Sequence, residues 1–308
     1  MLTHERVVLH ATPPFRLDFT VWALRRREKN AVDRWNGVQY ERIAVVDNKR
    51  VKLIVTEQLN GVVPIVNVII ESARKLGKGT LYEAEHLVRK MLGLDIDLGP
   101  FYALADNDRF LKPLVERFSG VKPPRFPSLF EGLVNAVACQ QVTLDLGITL
   151  LNRLSERFGM RVHDRGVKLY SFPSASDLAH VPDESIKDLG FSRQKARVIR
   201  ELAARVGGGA LDLETLEHVS NEDAVAYLSS IRGIGRWSAE YVLLRGLGRL
   251  DTFPGDDIGA QNNLRRLFHL DDKPSYGEIR QLTSAWHPYE GLVYFHLLLE
   301  KLHGMGAI

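Results

Sequence analysis

The apolar positions change texture once along the chain, near residue 100. Before that point they come as short runs rich in β-branched residues, over 7–10, 43–47, 51–56 and 62–70, separated by turn formers such as Asn36-Gly37, Asp47-Asn48 and Asn60-Gly61. Runs of that length between such pairs predict strands of an antiparallel sheet. Two stretches, 19–27 and 80–92, predict helices, the second opening on Thr80 with Glu83 three residues on, the spacing of a capping box. Residues 1–104 therefore read as an α+β domain carrying a small antiparallel sheet.

From residue 94 the apolar period becomes helical and stays so. Pro123-Pro124-Arg125-Phe126-Pro127 interrupts it, because each proline fixes φ and turns the residue before it away from helix. A helix entered at Ser128, with Glu131 at its third position, carries Phe130, Leu133, Val134, Val137 and Ala138 on one face and leads to Gln140-Gln141. Further helices are predicted over 144–158, 174–189, 192–206 and 214–229. The fold class is mainly α with an N-terminal α+β domain, the helical region covering 105–308. No internal repeat, low-complexity tract or coiled coil interrupts it.

Composition narrows the setting. The 308 residues are 45% hydrophobic and 26% charged, an ordinary folded composition. The longest apolar run, 62–70, is broken by Pro64 and Asn67 and is too short to span a bilayer. Glu5 and Arg6 interrupt the N-terminus before a signal-peptide core forms, so the expected setting is the cytoplasm, with association to the nucleoid and no membrane partner. A net charge of +3 and a pI near 8.9 suit a nucleic-acid partner. Arg193, Lys195, Arg197 and Arg200 fall within eight residues, but on a helix they point several ways, and at least half of them read as a solvated face. Cys139 is the one cysteine, which excludes a disulfide within the chain and a thiolate-held zinc or iron–sulfur cluster. The ten histidines show no ligand spacing.

Candidate chemistry concentrates in residues 228–259. Gly233 and Gly235 in Arg232-Gly233-Ile234-Gly235-Arg236 predict a sharp turn whose amides face outward at the start of the next helix, a phosphate site. Beyond it Trp237, Tyr241 and Leu244 recur at helical spacing, so Trp237 and Tyr241 share a face; the helix is expected to end near Gly246 and Gly248. Thr252-Phe253-Pro254-Gly255 then turns the chain and delivers Asp256 and Asp257 to a further helix over 258–268.

This stretch resembles the helix-hairpin-helix DNA glycosylases, and most closely their alkylpurine (3-methyladenine) branch. Gln140-Gln141 upstream and Trp286-His287-Pro288-Tyr289 downstream also match family positions, so the resemblance covers most of 95–302. It implies a helical glycosylase region of two subdomains, with the hairpin motif over 228–246, the catalytic aspartate loop over 251–259 and a base pocket in the cleft between subdomains. The implied partner is double-stranded DNA with a damaged base, bound by a monomer through Arg232, Gly233, Ile234, Gly235, Arg236 and Ser238. Gln141 matches the side chain that fills the gap left by a flipped nucleotide. Trp237, Tyr241, Tyr289 and, from the N-terminal domain, Trp22 match the aromatic pocket, with Phe15 and Phe19 as neighbours of the last. Asp257 matches the catalytic carboxylate, leaving Asp256 a cap-like or supporting role, although the sequence leaves an exchange of the two open. No organic cofactor is implied, and no metal held by side chains; a structural Na⁺ or K⁺ at the backbone carbonyls of Ile231 and Gly233 is.

The implied reaction is hydrolysis of an N-glycosidic bond. The nucleotide is swung out of the duplex, and the departing base leaves oxocarbenium character on the sugar that a fixed carboxylate stabilises. An N3- or N7-alkylated purine is already cationic and leaves neutral, so the second carboxyl group of ordinary glycosidases is not needed. Members that also cut the strand commonly carry a lysine where Trp237 stands, and only an amine forms a Schiff base. The expected enzyme is therefore monofunctional. The alternatives are an oxidised-purine glycosylase/lyase and a non-enzymatic helix-hairpin-helix DNA-binding module, which would leave Asp257 and the aromatic face unexplained. Glu290 departs from the family pattern, which frequently has a basic residue there.

Overall fold

A computed structural model describes residues 3–58, 63–164 and 167–308. Five strands form one antiparallel sheet: β1 (Thr3–His10), β2 (Arg34–Trp35), β3 (Gln39–Val46), β4 (Lys49–Gln58) and β5 (Ile65–Ser72), in the order β1-β5-β4-β3-β2. β1, β3 and β4 are longer than the apolar runs that predict them, because their polar ends still pair: Thr3 stands opposite Ser72, and Lys49 opposite Val46. The Asn60-Gly61 turn and Val62 lie outside the described residues. Val66, Val68 and Ile70 of β5 and Leu53 and Val55 of β4 turn inward under the helix Lys78–Leu92 and the first helix, Leu17–Arg25.

Several helical expectations change in detail. Thr80 does not cap its helix, which starts at Lys78 after Gly77; the Thr80 hydroxyl is instead a side-chain partner for Asp47 at 2.9 Å, tying the helix to the β3–β4 turn. Ser128 does cap Leu129–Cys139, accepting from the Glu131 amide, but the Glu131 carboxylate turns away to Arg42, so no reciprocal box closes. The stretch 174–189 is two short helices, Ala175–Leu178 and Asp183–Lys187, because Pro182 stands between them. Likewise 214–229 divides into a 3₁₀ turn, Glu214–His218, and a helix, Asn221–Ser229, which Ser220 caps. A two-stranded ribbon, Arg161–Asp164 with Val167–Tyr170, lies where no strand is predicted.

The helical residues pack around separate cores. One continues from the sheet through Leu133, Val137, Leu151 and Ile199 to Val242 and Leu243. A second is built from Leu98, Phe101 and Leu111 on one side and Phe253, Leu264, Trp286 and Leu297 on the other. Between the first helix and the last, Glu290–Gly304, a third cluster joins Ala23 and Phe118 to Leu244, Phe295 and Leu299. Chain segments far apart in sequence thus meet on both banks of a single cleft. Among the described residues no helix is long and apolar enough to cross a membrane.

Candidate active site

The cleft encloses about 1590 Å³ and is walled by the first helical core on one bank, through Gln140, Gln141, Trp237 and Tyr241, and by the second on the other, through Asp257, Ile258 and Tyr294. Both halves of 228–259 therefore reach one space.

The hairpin comes first in the chain. Ile231 and Ile234 are buried and fix the turn to the protein, the Ile234 amide donating to the Ile231 carbonyl at 3.0 Å. Gly233 has φ +85°, and a Cβ there would run into Val198, so this position is glycine for conformational and steric reasons together. Gly235 differs. Its φ is −95°, which any residue adopts, and no atom lies within 4 Å of a Cβ built on it. Nothing in the chain itself requires glycine there, and the space above it is open to close approach from outside. The helix that follows, Arg236–Val242, has no side-chain cap, so its first amides face that open space without a protein partner at the cap.

Its side chains divide between cleft and support. Trp237 and Tyr241 stand one turn apart, ring centroids 5.5 Å and planes 32° from each other. Glu240 is buried, and burial pushes its carboxyl above the usual carboxylate range. It accepts from Tyr276 Oη at 2.6 Å and from the Gly255 amide at 3.3 Å, while Gln261 Nε2 donates to the Gly255 carbonyl at 2.9 Å. The turn before the aspartates is thereby clamped from two helices. The helix itself then loosens into a π turn, Leu243–Leu247, and ends at Gly248.

Asp257 is the N-cap of Ile258–Leu267: Oδ1 accepts from the Ala260 amide at 2.8 Å. Oδ2 accepts from Trp237 Nε1 at 3.1 Å and Tyr294 Oη at 3.3 Å. Burial, reinforced by Asp257, holds the Tyr294 hydroxyl well above its ordinary pKa, so it stays a donor. Of the cap-like or supporting role expected for Asp256, the cap is thus corrected: it belongs to Asp257. Asp256 makes a two-point ion pair with Arg236, at 2.8 and 3.1 Å, and Arg236 lies 3.5 Å over the Tyr276 ring. Backbone direction decides this: the residue entering the helix is Asp257, and its predecessor points back toward the hairpin.

Other expected members fall elsewhere. Tyr289 packs on Phe101, centroids 5.8 Å apart, in the second core and off the cleft wall. Trp22 packs against the third cluster, with the Arg25 guanidinium 5.0 Å from its ring, and is also off the wall. The N-terminal helix reaches the cleft with Arg26 instead, the left-handed residue that ends it. Buried there, Arg26 donates to Tyr241 Oη at 2.7 Å and Asn135 Oδ1 at 2.6 Å. Tyr241 is itself 3% exposed, and Arg245 lies 5.5 Å from its ring, so Trp237 is the aromatic face that remains open. Ser238 is 1% exposed, its hydroxyl taken by Gln140, and its side chain is unavailable to a partner outside. Arg232 is exposed, as expected.

Gln141 stands just past the end of Leu129–Cys139, exposed at the mouth of the cleft with φ +52°. Left-handed backbone at a residue other than glycine costs roughly 1 kcal/mol or more and is found where surroundings enforce it. Of the basic cluster, Lys195 turns inward while Arg197 and Arg200 pair with Glu201 and Asp183 at the surface. At the hairpin, the Ile231 carbonyl accepts from Ile234 and the Gly233 carbonyl from Gln140, leaving each one lone pair for an ion. Among the described residues no group of three or more His, Cys, Asp or Glu is placed to hold a metal.

Comparison with known proteins gives this arrangement a context. Residues 134–288 match the model of the HhH-GPD superfamily base excision DNA repair protein. A DNA-3-methyladenine glycosylase of Bacillus subtilis is 32% identical over 210 residues, 68% of this chain and 69% of that one. The solved 3-methyladenine DNA-glycosylase of Archaeoglobus fulgidus superposes over 99% of this chain and 100% of its own, with a TM-score of 0.81 and 26% identity. An 8-oxoguanine glycosylase/lyase of Clostridium acetobutylicum, solved with double-stranded DNA, shares the fold at a TM-score of 0.74 and 18% identity.

Proposed function

The chain belongs to the helix-hairpin-helix (HhH-GPD) superfamily of base excision DNA repair proteins, and we propose that it is a monofunctional alkylpurine DNA glycosylase of the 3-methyladenine type. One observation carries the reading: the Asp257 carboxylate is held on the cleft wall by Trp237, Tyr294 and the Ala260 amide. Three donors fix its position beside whatever enters. A sugar acquiring positive charge there meets a preorganised anion.

The rest of the proposal assigns the approach. Double-stranded DNA lies on the hairpin, its phosphate over Gly235 and the uncapped amides, with Arg232 adding charge; Arg236 contributes less, since Asp256 already offsets it. Gln141 enters the stack as the damaged nucleotide leaves it. The flipped base lies against Trp237, whose face attracts a cationic purine by about 0.5–2 kcal/mol. A Na⁺ or K⁺ at the Ile231 and Gly233 carbonyls belongs to the same proposal, as does a monomer acting on nucleoid DNA in the cytoplasm.

Duplexes carrying N3- or N7-alkylated purines, with base release and strand cleavage scored separately, test this. Base release leaving an intact, alkali-labile strand is expected. Direct strand cleavage with a borohydride-trapped adduct would favour the glycosylase/lyase reading, and tight binding without release the binding module.

Two substitutions probe the approach. Gly235→Asp places a side chain and a negative charge in the open space above the hairpin, where its Cβ meets no protein atom and the backbone φ suits any residue, so the fold is kept. Binding to damaged and undamaged duplex should weaken alike, by roughly tenfold at low salt, in a fluorescence-anisotropy titration. A loss confined to damaged duplex rules out a phosphate contact. Gln141→Ala keeps the same left-handed backbone cost and removes only the wedge; a paired lesion should be released about tenfold more slowly, and an unpaired one nearly as before, since flipping costs less there.

A further inference from the structure

We infer that Gln140 is a positioning residue that latches the Gln141 wedge to the phosphate-binding hairpin, an inference that rests on the proposed glycosylase reading. Gln140 ends the helix Leu129–Cys139 in extended backbone and is held twice. Its side-chain Nε2 donates to the Gly233 carbonyl and to Ser238 Oγ, both at 2.9 Å, across 93 and 98 residues of sequence. Its own carbonyl accepts from Lys195 Nζ at 2.6 Å, and Lys195 also reaches the Ala138 carbonyl at 3.1 Å. One amide thus spends both donors on the hairpin, and one lysine closes the helix end.

The placement explains three features otherwise unrelated. Gln141 is exposed yet holds a left-handed backbone, which needs a fixed neighbour on at least one side; Gln140 provides it, and the Thr143 cap of Leu144–Phe158 provides the other. The Gly233 carbonyl, in the left-handed turn of the hairpin, finds its donor in Gln140. Ser238 follows Trp237, whose indole holds Asp257, so the wedge, the grip and the carboxylate are joined through one helix turn. A wedge ordered before DNA arrives does not incur the ordering cost on insertion. A hairpin gripping phosphate in one fixed relation to the wedge sets where along the strand the wedge enters.

Gln140→Leu removes both donors at similar volume. The test follows a paired lesion, the same lesion unpaired, and 2-aminopurine fluorescence beside the lesion, which reports flipping without base release. Thermal unfolding and affinity for undamaged duplex are measured in parallel. The latch predicts a loss of roughly tenfold in flipping and in release of the paired lesion, with the unpaired lesion and undamaged-duplex affinity changed less than about threefold. Adding Gln141→Ala to Gln140→Leu should then cost little more, because both act through the wedge. Equal loss on paired and unpaired lesions, or full additivity with Gln141→Ala, overturns the latch while leaving the enzyme reading in place. Flipping by the unmodified protein that Gln140→Leu abolishes, with no base released by either, upholds the latch and discards the hydrolase reading.

Discussion

Asp257→Asn is expected to slow single-turnover base release by about 10² to 10³, the range typical of removing one preorganised electrostatic contact to a developing charge. The structure says why the effect should be chemical. Asparagine is as good an N-cap as aspartate, and its Oδ1 can still accept from the Ala260 amide, so Ile258–Leu267 keeps its first turn. At the other end of the side chain an amide N–H₂ would face two donors. Tyr294 can turn its hydroxyl to accept, but the indole N–H of Trp237 cannot, and one hydrogen bond is lost. That local cost is about 1 to 3 kcal/mol, while the negative charge beside the sugar disappears entirely. Lesion-DNA binding should persist or tighten, since a carboxylate near a polyanion has been removed. Asp256→Asn makes the contrast, because it removes only an exposed ion pair with Arg236 worth 1 kcal/mol or less. Rates for both variants, measured on a cationic alkylpurine duplex, decide the matter: near-normal release by Asp257→Asn sinks the mechanism, whatever the fold.

What could be read from the chain without coordinates follows from how local each signal is. The hairpin was legible because Gly233, Ile234 and Gly235 are adjacent and glycine spacing constrains backbone directly. The strands were legible by their β-branched runs, but their ends were not, since pairing partners such as Ser72 for Thr3 lie far along the chain. Asp256 and Asp257 could not be told apart by environment, because neighbouring residues point in different directions and only the helix start decides which one caps. Tyr289 stood out because it belongs to a motif, although it lies off the cleft wall. Tyr294 sits in the nearly unbroken apolar run of Glu290–Gly304, where periodicity does not single out the face toward the cleft. Glu240 did carry a signal, a lone acid between Ala239 and Tyr241 in the apolar second half of its helix. Arg26 carried none and Gln140 only its place in the Gln140-Gln141 match, as their partners lie across the fold.

Glu131→Ala should cost about 3 kcal/mol of stability or more, read as a lower midpoint in urea, although Glu131 is remote from the proposed chemistry. Arg42 on β3 is 3% exposed and divides its guanidinium between Asp33 at 2.6 Å and Glu131 at 2.5 Å, with Tyr40 donating to the same Asp33 carboxylate at 2.8 Å. Truncating Glu131 leaves half of that guanidinium buried without an acceptor, and its Nε already has none. Leaving a buried charge unpartnered is what makes such losses large; the net worth of the intact pair is smaller. Glu131→Gln retains an acceptor of the same shape and should lose markedly less. The network also joins the sheet to the helix Leu129–Cys139, whose next turn carries Asn135, the partner of Arg26, and whose end leads to Gln140 and Gln141. Below its unfolding transition, Glu131→Ala should therefore bind undamaged duplex normally through the hairpin, which it does not touch. A midpoint unchanged from the unmodified protein would show that Arg42 finds another acceptor and that sheet and helix are held together by their apolar contact alone.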